Sequence, residues 1–136
     1  MYEVYGSLFT PLLTAAENTL SQLASKHSST LYYSHGLTPL SWLSGRSSRP
    51  PVPYLASCAI SLPLIGLVQL AQYMATSRIL GFTTPDAMAN RMKGATGHSQ
   101  GVATAAVIAM GGKDWDEYVK NACEGLKVLF AIGLRG

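Results

Sequence analysis

The stretch Lys93-Gly94-Ala95-Thr96-Gly97-His98-Ser99-Gln100-Gly101-Val102-Ala103-Thr104-Ala105-Ala106 decides how the chain reads. At its centre Gly97 to Gly101 spell Gly-x-Ser-x-Gly, and the flanks give that weak pattern a context. Met92–His98 reads as a short strand and Gln100–Met110 as a helix of small residues, so Ser99 falls where a strand turns sharply into a helix. Such a turn pushes the hydroxyl outward. Side chains at 97 and 101 would collide with the neighbouring strand and helix, which accounts for glycine at both. The first amides of the helix, Gln100 N–H among them, would then point toward the serine oxygen. The same five residues also suit an ordinary Gly/Ser turn, and both readings stay open at this point.

A serine nucleophile needs a base. The three histidines, His27, His35 and His98, all precede Ser99 and none follows it. Neighbouring side chains diverge at a sharp turn, so His98 is expected to pack or hydrogen-bond beside the serine rather than take its proton. His27 and His35 read as loop residues. An α/β-hydrolase continues from its serine to an acid and then a histidine, and no histidine is offered here.

Working outward, Tyr2 to about Ser25 places Leu8, Leu12, Leu13, Ala16, Leu20 and Leu23 at three- and four-residue intervals, with Glu17, Asn18 and Gln22 on another face. That is an amphipathic helix, with Pro11 a place to bend. Lys26–Thr30 and Arg46–Pro53 read as connectors around a single helical turn at Leu40 and Trp42. Tyr54–Ile60 reads as extended and Leu62–Leu80 as a buried helix stopped by Gly81. Thr84-Pro85-Asp86 has the chemistry of a cap for a short helix to about Asn90. Gly111-Gly112 ends the helix after Ser99, and a last helix runs from Asp114 to about Leu134 with an acidic first turn.

With 136 residues the chain is one small domain or a piece of a larger one. Hydrophobic residues make up 48% and charged residues 12%, about half the usual charged share, so much of the surface expects to be covered. That content and a mean hydropathy of +0.19 exclude a disordered chain. A net charge of +3 from singly scattered basic residues gives no nucleic-acid footprint. Cys58 and Cys123 have neither zinc-site nor disulfide-scaffold spacing, so no metal is expected and a reducing compartment is. The start lacks a basic region followed by an apolar run, so no secretory signal is read and the cytoplasm is the expected location. From Pro50 to Ser77 there is no charged residue. The polar stripe Gln69, Gln72, Thr76 and the interruptions at Ser57, Ser61 and Pro63 argue against a membrane span.

Three blocks then resemble one family in order: Ile60-Ser61-Leu62-Pro63-Leu64-Ile65-Gly66-Leu67-Val68-Gln69-Leu70, Lys93 to Gly101, and Val128-Leu129-Phe130-Ala131-Ile132-Gly133-Leu134-Arg135. With Tyr2-Glu3-Val4-Tyr5-Gly6 and the Gly36–Gly45 segment they cover essentially the whole chain. They resemble the acetyl/starter acyltransferase domain of the fungal type I fatty acid synthase beta subunit, including dedicated beta subunits of polyketide toxin pathways. The loop Arg46-Ser47-Ser48-Arg49-Pro50-Pro51 departs from the primary-metabolism type.

The resemblance implies an α/β fold: part of a malonyl-CoA:ACP transacylase-like core, mainly helical here, with a short strand leading into the nucleophile elbow. It implies that Ser99 takes a short acyl group from coenzyme A as an ester and passes it to the phosphopantetheine thiol of acyl carrier protein. Gln100 would be the backbone oxyanion donor, and His98 and Arg135 would contact substrate. No cofactor is tightly bound, acyl-CoA being substrate. Partners would be acyl carrier protein and other synthase domains, with no nucleic acid and no membrane. The family also uses an upstream Gly-Gln-Gly-type oxyanion loop, a small ferredoxin-like subdomain and a downstream histidine base, which residues 1–136 lack. The chain alone is therefore expected to load little acyl group. The alternatives are a truncated non-catalytic remnant with a structural role and a fragment of a serine hydrolase.

Overall fold

The computed structural model describes residues 2–27 and 31–135. Its centre is the helix Cys58–Ile79 (α4), apolar nearly all round and therefore suited to burial on several sides. Three other helices flank it: Tyr2–Lys26 (α1), Gly101–Met110 (α6) and Trp115–Gly133 (α7). The short helices Pro39–Leu43 (α2), Val52–Ala56 (α3) and Pro85–Ala89 (α5) and a 3-10 turn at Leu31–Tyr33 fill the connections.

The amphipathic pattern of α1 is realised: Leu12, Leu13, Ala16 and Leu20 are buried together with Phe9, which the spacing argument did not include. The helix runs through Pro11, and Thr10 Oγ1 donates to Gly6 O at 2.8 Å just ahead of it. Glu17, on the supposed polar face, instead accepts from Ser41 N at 2.7 Å and Ser41 Oγ at 2.8 Å, tying α2 to α1. Of the expected connector at Lys26–Thr30, Lys26 belongs to α1 and residues 28–30 lie outside the described residues.

The caps were legible. Thr84 Oγ1 accepts from Ala87 N at 3.2 Å with Pro85 as first residue of α5, and Asp114 Oδ1 accepts from Glu117 N at 2.8 Å to open α7. Asp116 and Glu117 in that first turn complement the helix dipole.

Two expectations are corrected. Met92–His98 is not a strand: no strand occurs among the described residues, and Gly94–Gly97 is coil whose backbone makes no ladder bond. A strand exists only through a partner, and none lies beside this segment. The α/β class that the resemblance implied has no sheet among the described residues, whereas the mainly helical character expected with it is what they show. Tyr54–Ile60 is not extended either. Pro51-Val52-Pro53 starts α3, where proline's fixed φ suits the first turn, and only Ser57, at φ −64° and ψ 144°, breaks it from α4.

α4 is long and apolar enough to cross a membrane by length and composition, but half of its apolar window is buried against the other helices. Its close approach to α7 occurs at Gly66, where a Cβ would stand 2.2 Å from Leu129 Cδ1. Leu129 is itself fully packed and has nowhere to retreat.

Two buried tyrosines differ in one respect. Tyr118 Oη donates to Leu70 O at 3.0 Å, whereas Tyr33 Oη, stacked on Phe130 at 5.0 Å, finds no partner. Burial pushes the Tyr33 phenol up to about 12, above the ordinary value of about 10. Tyr33→Phe should therefore raise stability by about 1 kcal/mol, since it removes an unsatisfied buried hydroxyl, and Tyr118→Phe should lower it by about as much. The unfolded chain ionises Tyr33 first, so wild-type stability should fall as pH rises from about 10 to 12. Tyr33→Phe should lessen that fall in denaturant titrations, the part that remains coming from Tyr54, Tyr73 and Tyr118, whose phenols burial also raises. Equal destabilisation by both substitutions would refute the distinction.

Candidate active site at the turn before helix α6

Ser99 stands in a tight turn that opens α6. Gly101 N donates to His98 O at 2.9 Å, which places Ser99 and Gln100 at the two central positions. Ser99 has φ +55°, and Gln100 has φ −57° and ψ −27°. Positive φ at the first central position followed by negative φ at the second is the type II′ pattern, where glycine is the ordinary occupant. Ser99 is the one non-glycine residue with positive φ among the described residues. Its side chain is exposed.

From there the helical ladder takes over: Val102 N donates to Ser99 O at 3.1 Å and Ala103 N to Gln100 O at 3.1 Å. The Gln100 N–H, the first amide after the serine, takes no part in this ladder. An amide so placed at a helix N-terminus can donate to negative charge forming beside Ser99.

The expected glycine collisions hold at one position and fail at the other. A Cβ on Gly97 would stand 2.0 Å from Gly101 O and 2.6 Å from Val102 N, so the incoming chain lies directly on the first turn of α6. A Cβ on Gly101 would meet nothing within 4 Å. With no neighbouring strand among the described residues, the outer side of Gly101 is open.

A groove of about 500 Å³ runs beside the turn, walled by Gln69 and Tyr73 of α4, Met92 and His98 of the incoming segment, and Thr104 and Ile108 of α6. Burial raises the Tyr73 phenol above its ordinary range, against the hydrogen bond with Ser77, which lowers it. It therefore presents a neutral hydroxyl, which donates to Pro85 O at 3.3 Å.

His98, expected to pack or hydrogen-bond beside Ser99, is instead exposed and lines the groove. His27 packs against Phe130 at 5.8 Å between ring centroids, and His35 meets Tyr54 edge-on at 4.9 Å. Arg135 is exposed just beyond α7, its backbone N–H bonded to Ile132 O at 3.0 Å. Only residues 111–114 join α6 to α7, and Gly125 lies against Val107, so the two helices run antiparallel. Ser99 before α6 and Arg135 after α7 thus fall at the same end of that hairpin. Among the described residues no group of three or more His, Cys, Asp or Glu could hold a metal ion.

Sequence reasoning missed Gln69 and Thr104. Thr104 is buried, and its Oγ1 donates to Gln69 Oε1 at 2.7 Å. Gln69 was read only as one member of a polar stripe. The available signal was a lone threonine on the inner face of an otherwise small, apolar helix, facing a glutamine in an apolar one.

The profile of the family described as "Starter unit:ACP transacylase in aflatoxin biosynthesis" matches residues 3–136. The chain belongs to this family. It is similar to the fatty acid synthase subunit beta of Saccharomyces cerevisiae, 40% identical over 136 residues, and to the fatty acid synthase beta subunit aflB of Emericella nidulans, 40% identical over 135. The fatty acid synthase beta subunit TOXC of Cochliobolus carbonum is 37% identical over 135 residues. Each comparison covers 99% of this chain, which spans only 6% of the length of these relatives. The family resemblance read from the sequence is thus shown, for both the fatty acid synthase and the toxin-associated beta subunits.

The geometry makes an asymmetric prediction for the two glycines of this turn. Gly97→Ala should cost about 1–3 kcal/mol, because backbone rather than a flexible side chain must yield. Gly101→Ala should be neutral or stabilising by up to about 1 kcal/mol, because the site is open and alanine favours helix. Thermal unfolding of the two variants checks this, and a larger loss at Gly101 would contradict the close approach.

Proposed function

We propose that these residues form part of an acyltransferase core in which Ser99 is the nucleophile. Its turn is a nucleophile elbow. Ser99 Oγ attacks the thioester carbonyl of a short-chain acyl-CoA and gives its proton to a base. The carbonyl oxygen, negatively charged in the intermediate, accepts from Gln100 N–H. The C–S bond breaks, coenzyme A leaves as the thiol, and the acyl group remains as an ester on Ser99. The phosphopantetheine thiol of acyl carrier protein then attacks the ester, and the serine oxygen recovers a proton as it leaves.

The observation that supports this reading best is the positive φ of Ser99, held in a turn at a helix N-terminus with the next amide unengaged. Backbone strain of this kind on an exposed serine has a use when the hydroxyl must stand clear of its neighbours. His98 and Arg135 serve substrate contact, His98 from the groove wall and Arg135 from the same end of the α6–α7 hairpin. The base is a residue other than His27 and His35, whose rings face Phe130 and Tyr54. On this reading the partners are acyl carrier protein and other fatty acid synthase domains, the place is the cytoplasm, and no tightly bound cofactor is needed.

A second reading gives these residues a structural role alone. It is favoured by exposed apolar side chains on α6 and α7, Val102 at 57%, Met110 at 64%, Val128 at 53% and Ile132 at 51%, which suit an interface. A third makes water, rather than a carrier thiol, the acyl acceptor.

One experiment separates the three. The complete polypeptide that carries residues 1–136 is treated with acetyl-CoA, analysed by peptide mass spectrometry, and then given acyl carrier protein. An acyl adduct on the Ser99 peptide that moves to the carrier supports the proposal, and Ser99→Ala should reduce it by at least about 10³-fold. His27→Ala and His35→Ala should leave it, and His98→Ala should reduce it moderately. The same adduct in Ser99→Ala, or no adduct in wild type, overturns the nucleophile assignment. Loss of the adduct to water alone favours the hydrolase.

A further inference from the structure

The structure assigns a positioning role to the Gln69–Thr104 pair: it clamps the first turn of α6 to α4 and so holds the Gln100 amide in place beside Ser99. The inference rests on Ser99 being the nucleophile.

Thr104 is one turn into α6 and only 5% exposed, in a helix whose other inner residues are small and apolar. Its single hydroxyl proton is shared between Gln69 Oε1 at 2.7 Å and Gly101 O at 3.0 Å. Gly101 O is the atom against which Gly97 packs most closely. One carbonyl therefore receives the incoming chain on one side and the threonine hydroxyl on the other. Gln69 anchors that hydroxyl to the core helix, and Thr104 Cγ2 lies against Gly66, where α4 meets α7. One helical turn separates Thr104 from Gly101, the residue after Gln100, so a shift of α6 on α4 moves Gln100 N–H directly.

A buried threonine placed for packing alone would be replaced by valine at little cost in shape. What valine lacks is the proton, so the bond from α6 to Gln69 Oε1 is lost and the first turn is held by packing only. Oxyanion donors are sensitive to such displacement, because their contribution depends on the distance to charge that exists only in the transition state. The role therefore belongs to the rate of acyl transfer and not to binding of the thioester.

The test uses the complete polypeptide carrying residues 1–136, with steady-state transfer from acetyl-CoA to acyl carrier protein and amide exchange at Gly101–Thr104. Thr104→Val and Gln69→Leu should each lower kcat about 10- to 100-fold, with KM within about twofold of wild type. The double variant should lose no more than either single, since both break one clamp. Thr104→Ser, which keeps the proton, should restore most of kcat. Exchange at Gly101–Thr104 should quicken in the valine variant and not in the serine one. Unchanged kcat in Thr104→Val, or an equal loss in Thr104→Ser, overturns the inference. Ser99→Ala is the control for the underlying reading: if it still transfers acyl groups, the nucleophile assignment has failed, and if it does not while Thr104→Val behaves as wild type, only the clamp has failed. Should a variant melt at assay temperature, the exchange comparison of Thr104→Val with Thr104→Ser at lower temperature decides.

Discussion

The close approach of α4 to α7 at Gly66 is the contact on which the rest of the molecule depends. Leu129 Cδ1 occupies the space a Cβ would need, and Leu126 stands beside it. Interiors pack at near-crystalline density, so two helices that meet this closely fix each other's height and rotation. Tyr118 adds a direction to the contact: its hydroxyl, buried with the ring, donates to Leu70 O of α4. With α4 and α7 so fixed, α6 is left one position, since only residues 111–114 join it to α7 and Thr104 Cγ2 meets the same Gly66.

That geometry carries through to the serine. A non-glycine residue at positive φ costs on the order of 1–3 kcal/mol and persists only where its surroundings over-determine it. Here the surroundings are identifiable: Gly97 lies on the Gly101 carbonyl from one side, Thr104 reaches it from the other, and the ladder bonds from Val102 and Ala103 hold the far side. Strain at Ser99 is thus offset by packing that extends through Thr104 to Gly66 on the neighbouring helix α4. The exposed apolar side chains on α6 and α7 lie outside this system of contacts and are available to cover or be covered.

Local chemistry in the sequence revealed what local chemistry determines. Thr84-Pro85-Asp86 and Asp114 cap helices through side-chain bonds three residues long, and both are where the residue types put them. The leucine spacing of α1 found its buried face because burial there repeats with the helix. The turn at Ser99 was legible because glycine at 97 has a local cause. What failed needed information from elsewhere in the chain. Met92–His98 has no strand to pair with among the described residues, and Tyr54–Ile60 is divided into two helices by the backbone of Ser57. Gln69 looked like solvent-facing polarity because its partner, Thr104, is 35 residues away.

The central claim is that Ser99 is held in a conformation its own side chain disfavours. The most direct test is the difference in unfolding free energy between Ser99→Gly and Ser99→Ala. Both remove the hydroxyl, so only the backbone preference separates them. At an ordinary coil position with negative φ, glycine is the less stable of the two, because the unfolded chain gains freedom. At φ +55° the order inverts, and Ser99→Gly should be more stable than Ser99→Ala by about 1 kcal/mol. A glycine variant less stable than the alanine variant would contradict the account.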